Sequence, residues 1–138
     1  MDLGTLYASD TNKTSKDFAR DLVAAAAKKG FMIHNEDKMQ MAEFFRKKGC
    51  SVADDFDLHM VQICKPEKAS ASLHKNPERA AFLPKHISFF TSGGKTQIRF
   101  YCYGRDVVES FLNSDPDFSV SLQESCKTII SIIEDAKN

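Results

Sequence analysis

The sequence predicts an α+β domain in which helices cover one face of a mostly antiparallel sheet. Two alternating apolar runs, residues 87–90 and 97–102, flank a Gly-Gly turn, which is the pattern of a β-hairpin. The tail is apolar at positions 122, 126, 129, 130 and 133, which is the spacing of an amphipathic helix. A second helical stripe, within residues 14–30, precedes the hairpin, so helices and sheet are expected to pack as layers.

The first third of the chain predicts a strand, a helix and a second strand. A weak alternation within residues 3–13 indicates the first strand. Thr14, with Asp17 three residues later, has the spacing of a helix N-cap, and Gly30 supplies the stop. Residues 31–34 follow at once as a short second strand.

In the middle of the chain, predicted helices and strands continue to alternate. Asp37 is predicted to cap a second helix, which ends at Gly49 behind a basic turn. Residues 56–64 form the third strand, and a parity shift at its centre predicts a bulge or burial on both faces. Pro66 suits the first turn of a third helix. The predicted order is therefore βαβαβα, a β-hairpin and then helices, in one domain over residues 1–138.

Charge and cysteine usage exclude several function classes. Nineteen basic residues balance nineteen acidic ones, so no global charge attracts nucleic acid or an anionic membrane. No apolar run approaches the roughly 20 residues that span a bilayer, and the N-terminus lacks the features of a secretory signal. The cysteines are widely spaced, without a CxxC pair: Cys50, Cys64, Cys102 and Cys126. We therefore expect a cytoplasmic protein with reduced thiols and with neither nucleic acid nor membrane as a partner.

A set of short motifs in a fixed order resembles one known family. These motifs are Gly30-Phe31 with Glu36, Cys64-Lys65-Pro66, Asn76-Pro77-Glu78 and Leu83-Pro84. From residue 11 to residue 136 they resemble the domain-of-unknown-function-302 family of bacteria and archaea, although Lys65 replaces the family's asparagine. The resemblance implies a small α+β fold, similar in outline to the TATA-binding type, and pairing as dimers. It implies no established activity.

Cys64 is the one candidate catalytic residue. It ends a strand directly before a helix that begins at Pro66, so the helix dipole and the neighbouring Lys65 are predicted to lower the pKa of the thiol. A reactive thiol there would serve sulfur transfer, redox sensing or covalent catalysis. The alternative is a small buried hydrophobe at a strand end.

The central segment is a candidate anion-binding region. Residues 65–105 hold eight basic and two acidic residues, whereas residues 106–138 hold seven acidic and two basic ones. The ligand-binding candidates are Cys64, Lys65, Arg79, Lys85, His86 and Arg99. The alternative is two solvated faces that offset each other, or a dimer seam of opposite charge. No histidine pair has metal-ligand spacing, so neither a metal nor another cofactor is expected.

The outer face of the hairpin predicts self-association. Phe90, Tyr101 and Tyr103 interleave there with Arg99, and with a neutral net charge such aromatics favour a protein surface over nucleic acid. We therefore predict a homodimeric binding or accessory module and not a self-sufficient enzyme. A thiol-dependent sulfur-handling or redox protein using Cys64, and a binder of small anionic ligands using the central segment, are the alternatives.

Overall fold

A five-stranded antiparallel sheet forms the centre of the computed structural model, which describes residues 1–138. The strands are β1 (Gly4–Thr11), β2 (Met32–Ile33), β3 (Leu58–Cys64), β4 (Lys85–Ser92) and β5 (Lys95–Tyr103). They lie in the order β1-β5-β4-β3-β2, and every neighbouring pair is antiparallel.

Five α-helices and one 3-10 helix connect and cover the strands. They are α1 (Ser15–Lys28), α2 (Met41–Lys47), α3 (Pro66–Lys75), the 3-10 helix (Pro77–Phe82), α4 (Arg105–Phe111) and α5 (Pro116–Lys137). The predicted α+β class is confirmed, and the predicted strand and helix order recurs with α4 placed between the hairpin and the last helix. No helix is both long and apolar enough to cross a bilayer.

The main core lies between α1, α5 and one face of the sheet. Phe18 of α1 meets Phe89 of β4 edge to face, with ring centroids 4.8 Å apart. Ile129 and Ile133 of α5 are fully buried in the same cluster. A smaller core near the ends of α4 and α5 contains Phe82, Val108, Leu112, Phe118 and Leu122. The opposite face of the sheet carries no helix contact of this kind, and Leu6, Met60 and Tyr101 stay partly exposed on it.

The predicted Gly-Gly turn of the β-hairpin is confirmed. Gly93 and Gly94 both have positive φ, 63° and 77°, and join Ser92 to Lys95 in register. Two consecutive positive φ values suit a type I′ turn, whose twist matches that of the strands. Glycine tolerates this conformation without a steric penalty, which explains why the alternating runs pair as predicted.

Of the two predicted helix N-caps, that of α1 is confirmed and that of α2 is wrong. Thr14 Oγ1 accepts from the backbone N–H of Asp17 at 3.1 Å, so the predicted cap of α1 is confirmed. The cap of α2 is Gln40 and not Asp37, because Gln40 Oε1 accepts from the N–H groups of Ala42 (2.6 Å) and Glu43 (3.3 Å). Gln40 thereby pairs two of the backbone N–H groups that the helix itself leaves without a partner, and it does so with a longer side chain than sequence rules favour.

The third strand is regular. It begins at Leu58 and pairs residue by residue with β4, with Met60 opposite Ser88 and Val61 opposite Ile87. The predicted bulge is therefore absent. Val61 faces the core, whereas Met60 lies on the open face and is 41% exposed, so the alternative prediction of burial on both faces is wrong as well. The parity shift arises because β3 carries an exposed apolar residue, Met60, next to a buried one.

Candidate functional site

A cavity of about 250 Å³ opens where the end of β3 meets the start of β4, beneath α3 and α5. The antiparallel register creates this meeting point, because Ile63 near the end of β3 pairs with Lys85 at the start of β4. The 3-10 helix and the segment around β2 close the sides. Sixteen residues line the cavity.

Apolar side chains form most of the walls. They come from four separate parts of the chain, and they include Phe31, Ala69, Leu73, Ala80, Leu83, Phe118 and Leu122. Three lysines, Lys65, Lys68 and Lys85, also line the cavity, together with three serines, but no aspartate or glutamate does. The cavity is therefore apolar with a positive potential that no local acid offsets.

Lys68 of α3 is fixed to α5. Its Nζ donates to Ser125 Oγ at 2.8 Å and to the carbonyl oxygen of Ser121 at 3.3 Å. Two of the three ammonium donors are thereby used, and the third is free. Lys68 was not among the predicted ligand-binding residues, although it lies two residues after Pro66, in the first turn of the helix that follows Cys64.

Lys85 is half-buried and has no partner of its own. None of the nine ion pairs includes it, and its Nζ makes no hydrogen bond within the protein. Burial lowers the pKa of the Lys85 ammonium, and the positive charge of Lys68 lowers it further, while the thiols of Cys126, Cys64 and Cys102 act in the opposite direction. An ammonium in such a place is stabilised by an anion that enters the cavity.

Cys64 lines the same cavity, and the prediction of a lowered pKa for its thiol is wrong. Burial raises the pKa of Cys64, and the charge of Lys85 offsets this only in part. Pro66 does begin α3, but the sequence does not reveal how far the sulfur of Cys64 is withdrawn from solvent. Cys64 is half-buried, Cys50 is exposed, and Cys102 and Cys126 are buried.

Arg79 lies beside the cavity but is fully engaged. Its guanidinium binds the carboxylate of Asp115 in two places and donates to Ser72 Oγ at 2.9 Å. It also stacks on Phe118, with 5.1 Å from Cζ to the ring centroid. Ser72 and Phe118 line the cavity, so Arg79 braces its wall, while Asp115 neutralises its charge.

The two remaining candidates lie away from the cavity. His86 is exposed on β4, one residue beyond Lys85, and alternation along the strand turns it to the other face. Arg99 lies on the open face of β5, with Cζ 5.7 Å from the centroid of the Phe90 ring. The structure thus brings Cys64, Lys65 and Lys85 together, sets Arg79 next to them, and separates His86 and Arg99 from them.

The basic and acidic segments meet within one chain. Lys75 lies 3.4 Å from Asp117, and Arg79 lies 2.6 Å from Asp115. These contacts join the region after α3 to the start of α5. The opposite charges of the two segments are therefore offset in part inside the protomer, while the lysines of the cavity keep their charge unpaired.

Comparison with known proteins identifies a family and a fold. The family model described as Domain of unknown function DUF302 matches residues 7–135. Among solved structures, the crystal structure of uncharacterized conserved protein DUF302 from Bacillus stearothermophilus superposes with a TM-score of 0.75 at 18% identity, covering 95% of this chain and 97% of that one. At this identity the similarity establishes the fold alone. No curated protein matches the chain.

Proposed function

The chain belongs to the DUF302 family, and we propose that it is a binding module whose cavity takes a small organic anion with an apolar body. The observation that carries the proposal is the half-buried Lys85, which has neither a carboxylate nor a hydrogen-bond acceptor from the protein. A cation withdrawn from water without a counter-charge is costly, and a bound anion removes that cost.

The shape and chemistry of the cavity define the class of ligand. Its volume of about 250 Å³ is at the small end of ligand pockets, which favours a compact molecule. Phe31, Leu73 and Leu83 supply apolar contact, while Lys68 and Lys85 supply donors for a carboxylate or a similar anionic head. A purely inorganic anion would leave the apolar wall unused.

Titration with hexanoate tests this proposal, because hexanoate joins a carboxylate to a short alkyl chain. We expect the amide resonances of α3, the start of β4 and the first half of α5 to shift in an NMR titration of the whole chain. Lys85→Met should weaken the binding about tenfold or more, which corresponds to the loss of one hydrogen bond to a charged group.

Two controls make the result specific. Lys127→Met removes an exposed lysine on the outer side of α5 and should leave the affinity for hexanoate unchanged. Hexanol, which has the same chain length without the charge, should bind more weakly to the wild type. Equal binding of hexanol and hexanoate, or an unchanged affinity in Lys85→Met, would contradict the proposal.

Thiol chemistry at Cys64 is the second candidate function. It is supported by the position of Cys64 in the cavity beside Lys85, where a bound molecule would meet the sulfur. It is weakened by the raised pKa of the thiol, because the neutral thiol is a poor nucleophile. The anion-binding proposal is therefore preferred. A cytoplasmic location and a homodimer remain predictions from the sequence.

A further inference from the structure

The two lysines inside the cavity differ in what holds their ammonium groups. Lys68 donates to Ser125 and to the backbone of Ser121, so α5 fixes its position. Lys85 has all three donor positions free of protein partners. One amine is thus anchored as a fixed charge, and the other is available for contact with a ligand.

The base of the Lys85 side chain is held by the sheet. Lys85 pairs with Ile63 of β3, and two residues later Ile87 is fully buried on the helix side. Because side chains of a strand alternate between faces, Lys85 starts out toward the helices, and its flexible chain ends in the cavity. Functional groups on strands are positioned more accurately than groups on loops.

The surroundings of Lys85 lower the pKa of its ammonium, so Lys85 loses its proton more readily than an exposed lysine does. No acidic side chain lines the cavity, most of its wall is apolar, and the charge of Lys68 acts on the Lys85 ammonium. Burial and a neighbouring cation are the two conditions that activate lysines for attack on carbonyl carbons. Exposed lysines of the chain, such as Lys127 on α5, lack such an enclosure.

We infer that Lys85 captures the carbonyl group of a small oxo acid as an imine, with the carboxylate of the acid held by Lys68. This inference rests on the proposed anion-binding function and names the substrate class of the same cavity. A neutral amine and a carbonyl carbon form the new bond, and the anchored ammonium supplies the charge that orients the acid.

The reaction balances without a redox partner. The Lys85 Nζ lone pair attacks the carbonyl carbon, the carbon–oxygen double bond opens, and a carbinolamine forms. One hydrogen of the amine moves to the oxygen in this step. The hydroxyl group then leaves with the remaining hydrogen on nitrogen as one molecule of water, and a carbon–nitrogen double bond remains. Hydrolysis reverses the sequence and returns the free lysine.

Trapping with 2-oxohexanoate and sodium cyanoborohydride tests the inference on the whole chain. Hydride from the reagent reduces the imine to a stable secondary amine, so the adduct adds one oxo acid less one oxygen atom. We expect peptide mapping to find this adduct on Lys85 ahead of the exposed lysines. 2-Hydroxyhexanoate, which has no carbonyl to attack, should give no adduct.

Three comparisons decide the result. Lys85→Arg keeps a positive charge but removes the amine nucleophile, so it should give no adduct at position 85. 2-Hexanone lacks the carboxylate and should react about tenfold more slowly than the oxo acid, the worth of one charge-assisted hydrogen bond. Lys127→Met should label like the wild type.

The two proposals fail in different ways. If hexanoate binds but 2-oxohexanoate leaves no adduct on Lys85, or labels all exposed lysines equally, the imine inference is overturned and anion binding stands. If 2-hexanone and the oxo acid label Lys85 at equal rates, the assignment of an oxo acid is overturned. If hexanoate fails to bind the wild type, the anion-binding function itself falls.

Discussion

Arg79 and Asp115 form a two-pronged buried ion pair, with Nε 2.6 Å from Oδ2 and Nη2 2.6 Å from Oδ1. Their side chains are only 5% and 10% exposed. Asn76 adds a third hydrogen bond to the carboxylate at 2.8 Å. The pair therefore ties the 3-10 helix to the start of α5, the two elements that flank the cavity, and its geometry is that of the strongest carboxylate–guanidinium contacts.

Removal of the carboxylate charge should destabilise the protein strongly. Asp115→Asn leaves the guanidinium of Arg79 buried without a counter-charge, and we expect the free energy of unfolding to fall by about 3–5 kcal/mol. Urea denaturation measures this change. Asp117→Asn is the matched control, because Asp117 is exposed in its contact with Lys75, and it should cost less than about 1 kcal/mol.

The same pair provides an independent check in acid. The hydrogen bonds from Arg79 lower the pKa of Asp115 from its ordinary value of 3.8 to about 2. Since the folded pKa is the lower one, the contribution of Asp115 is complete above pH about 4 and is lost as the pH falls toward 2. In Asp115→Asn, the free energy of unfolding should no longer show this loss between pH about 4 and 2. If the wild type and the variant lose the same free energy of unfolding in that range, the assignment to Asp115 is contradicted.

His59 should make the fold sensitive to mild acid. Its side chain is buried, its ring stacks on Phe89 with centroids 4.7 Å apart, and its Nδ1 has no hydrogen-bond partner. Burial lowers the pKa of His59, and the charge of Asp57 opposes this in part. The unfolded chain therefore binds a proton at higher pH than the folded one, so acid favours unfolding.

We expect the free energy of unfolding to fall as the pH decreases from about 7 through the ordinary histidine pKa of about 6.5, and to level off below the folded pKa. His59→Phe keeps a planar ring against Phe89 and should flatten this part of the curve. His86→Asn, at an exposed histidine, should leave it unchanged. If the free energy of unfolding of His59→Phe depends on pH as that of the wild type does, the sensitivity to acid comes from other groups and the prediction for His59 is wrong.

Most of the fold could be predicted because its determinants are local. The periodicity of α1 and α5, the alternation of β4 and β5, and the positive φ required at Gly93 and Gly94 all act within a few residues. The cap of α2 was missed because Gln40 caps with a long side chain, whereas sequence rules favour short ones such as Asp37.

The site could be predicted only in part because it is assembled from distant segments. Lys85 and Cys64 were predicted as ligand-binding residues from the residues next to them in the sequence. That both line one cavity depends on the β3–β4 register, which joins segments about 20 residues apart. The engagement of Arg79 depends on Asp115, 36 residues later. The pKa of Cys64 depends on burial under α3 and α5, which no property of neighbouring residues reveals.

The open face of the sheet is expected to pair two protomers. Leu6 and Tyr101 lie opposite each other in the β1–β5 register, 61% and 43% exposed. Met60, 41% exposed, lies on the same face on β3, beyond Ser88 of β4. Tyr101→Glu places a charge in this surface and should shift a dimer toward monomer in sedimentation velocity at tens of micromolar, a range of ordinary interface affinities. Val120→Glu, at an exposed apolar site on α5, is the control. A monomeric wild type would refute the prediction.

Thiol labelling should begin at Cys50 and reach Cys64 later. Cys50 is exposed, whereas burial raises the pKa of the half-buried Cys64 and so reduces its thiolate. Brief iodoacetamide treatment near neutral pH, followed by peptide mapping, measures the order, and Cys102 and Cys126 should react only after unfolding. Lys85→Met should slow Cys64 further, because the charge of Lys85 is what opposes the raised pKa. If Cys64 reacts before Cys50 and slows in Lys85→Met, the charge of Lys85 stabilises the thiolate of Cys64 more than burial destabilises it. Thiol chemistry then becomes the preferred function of the cavity.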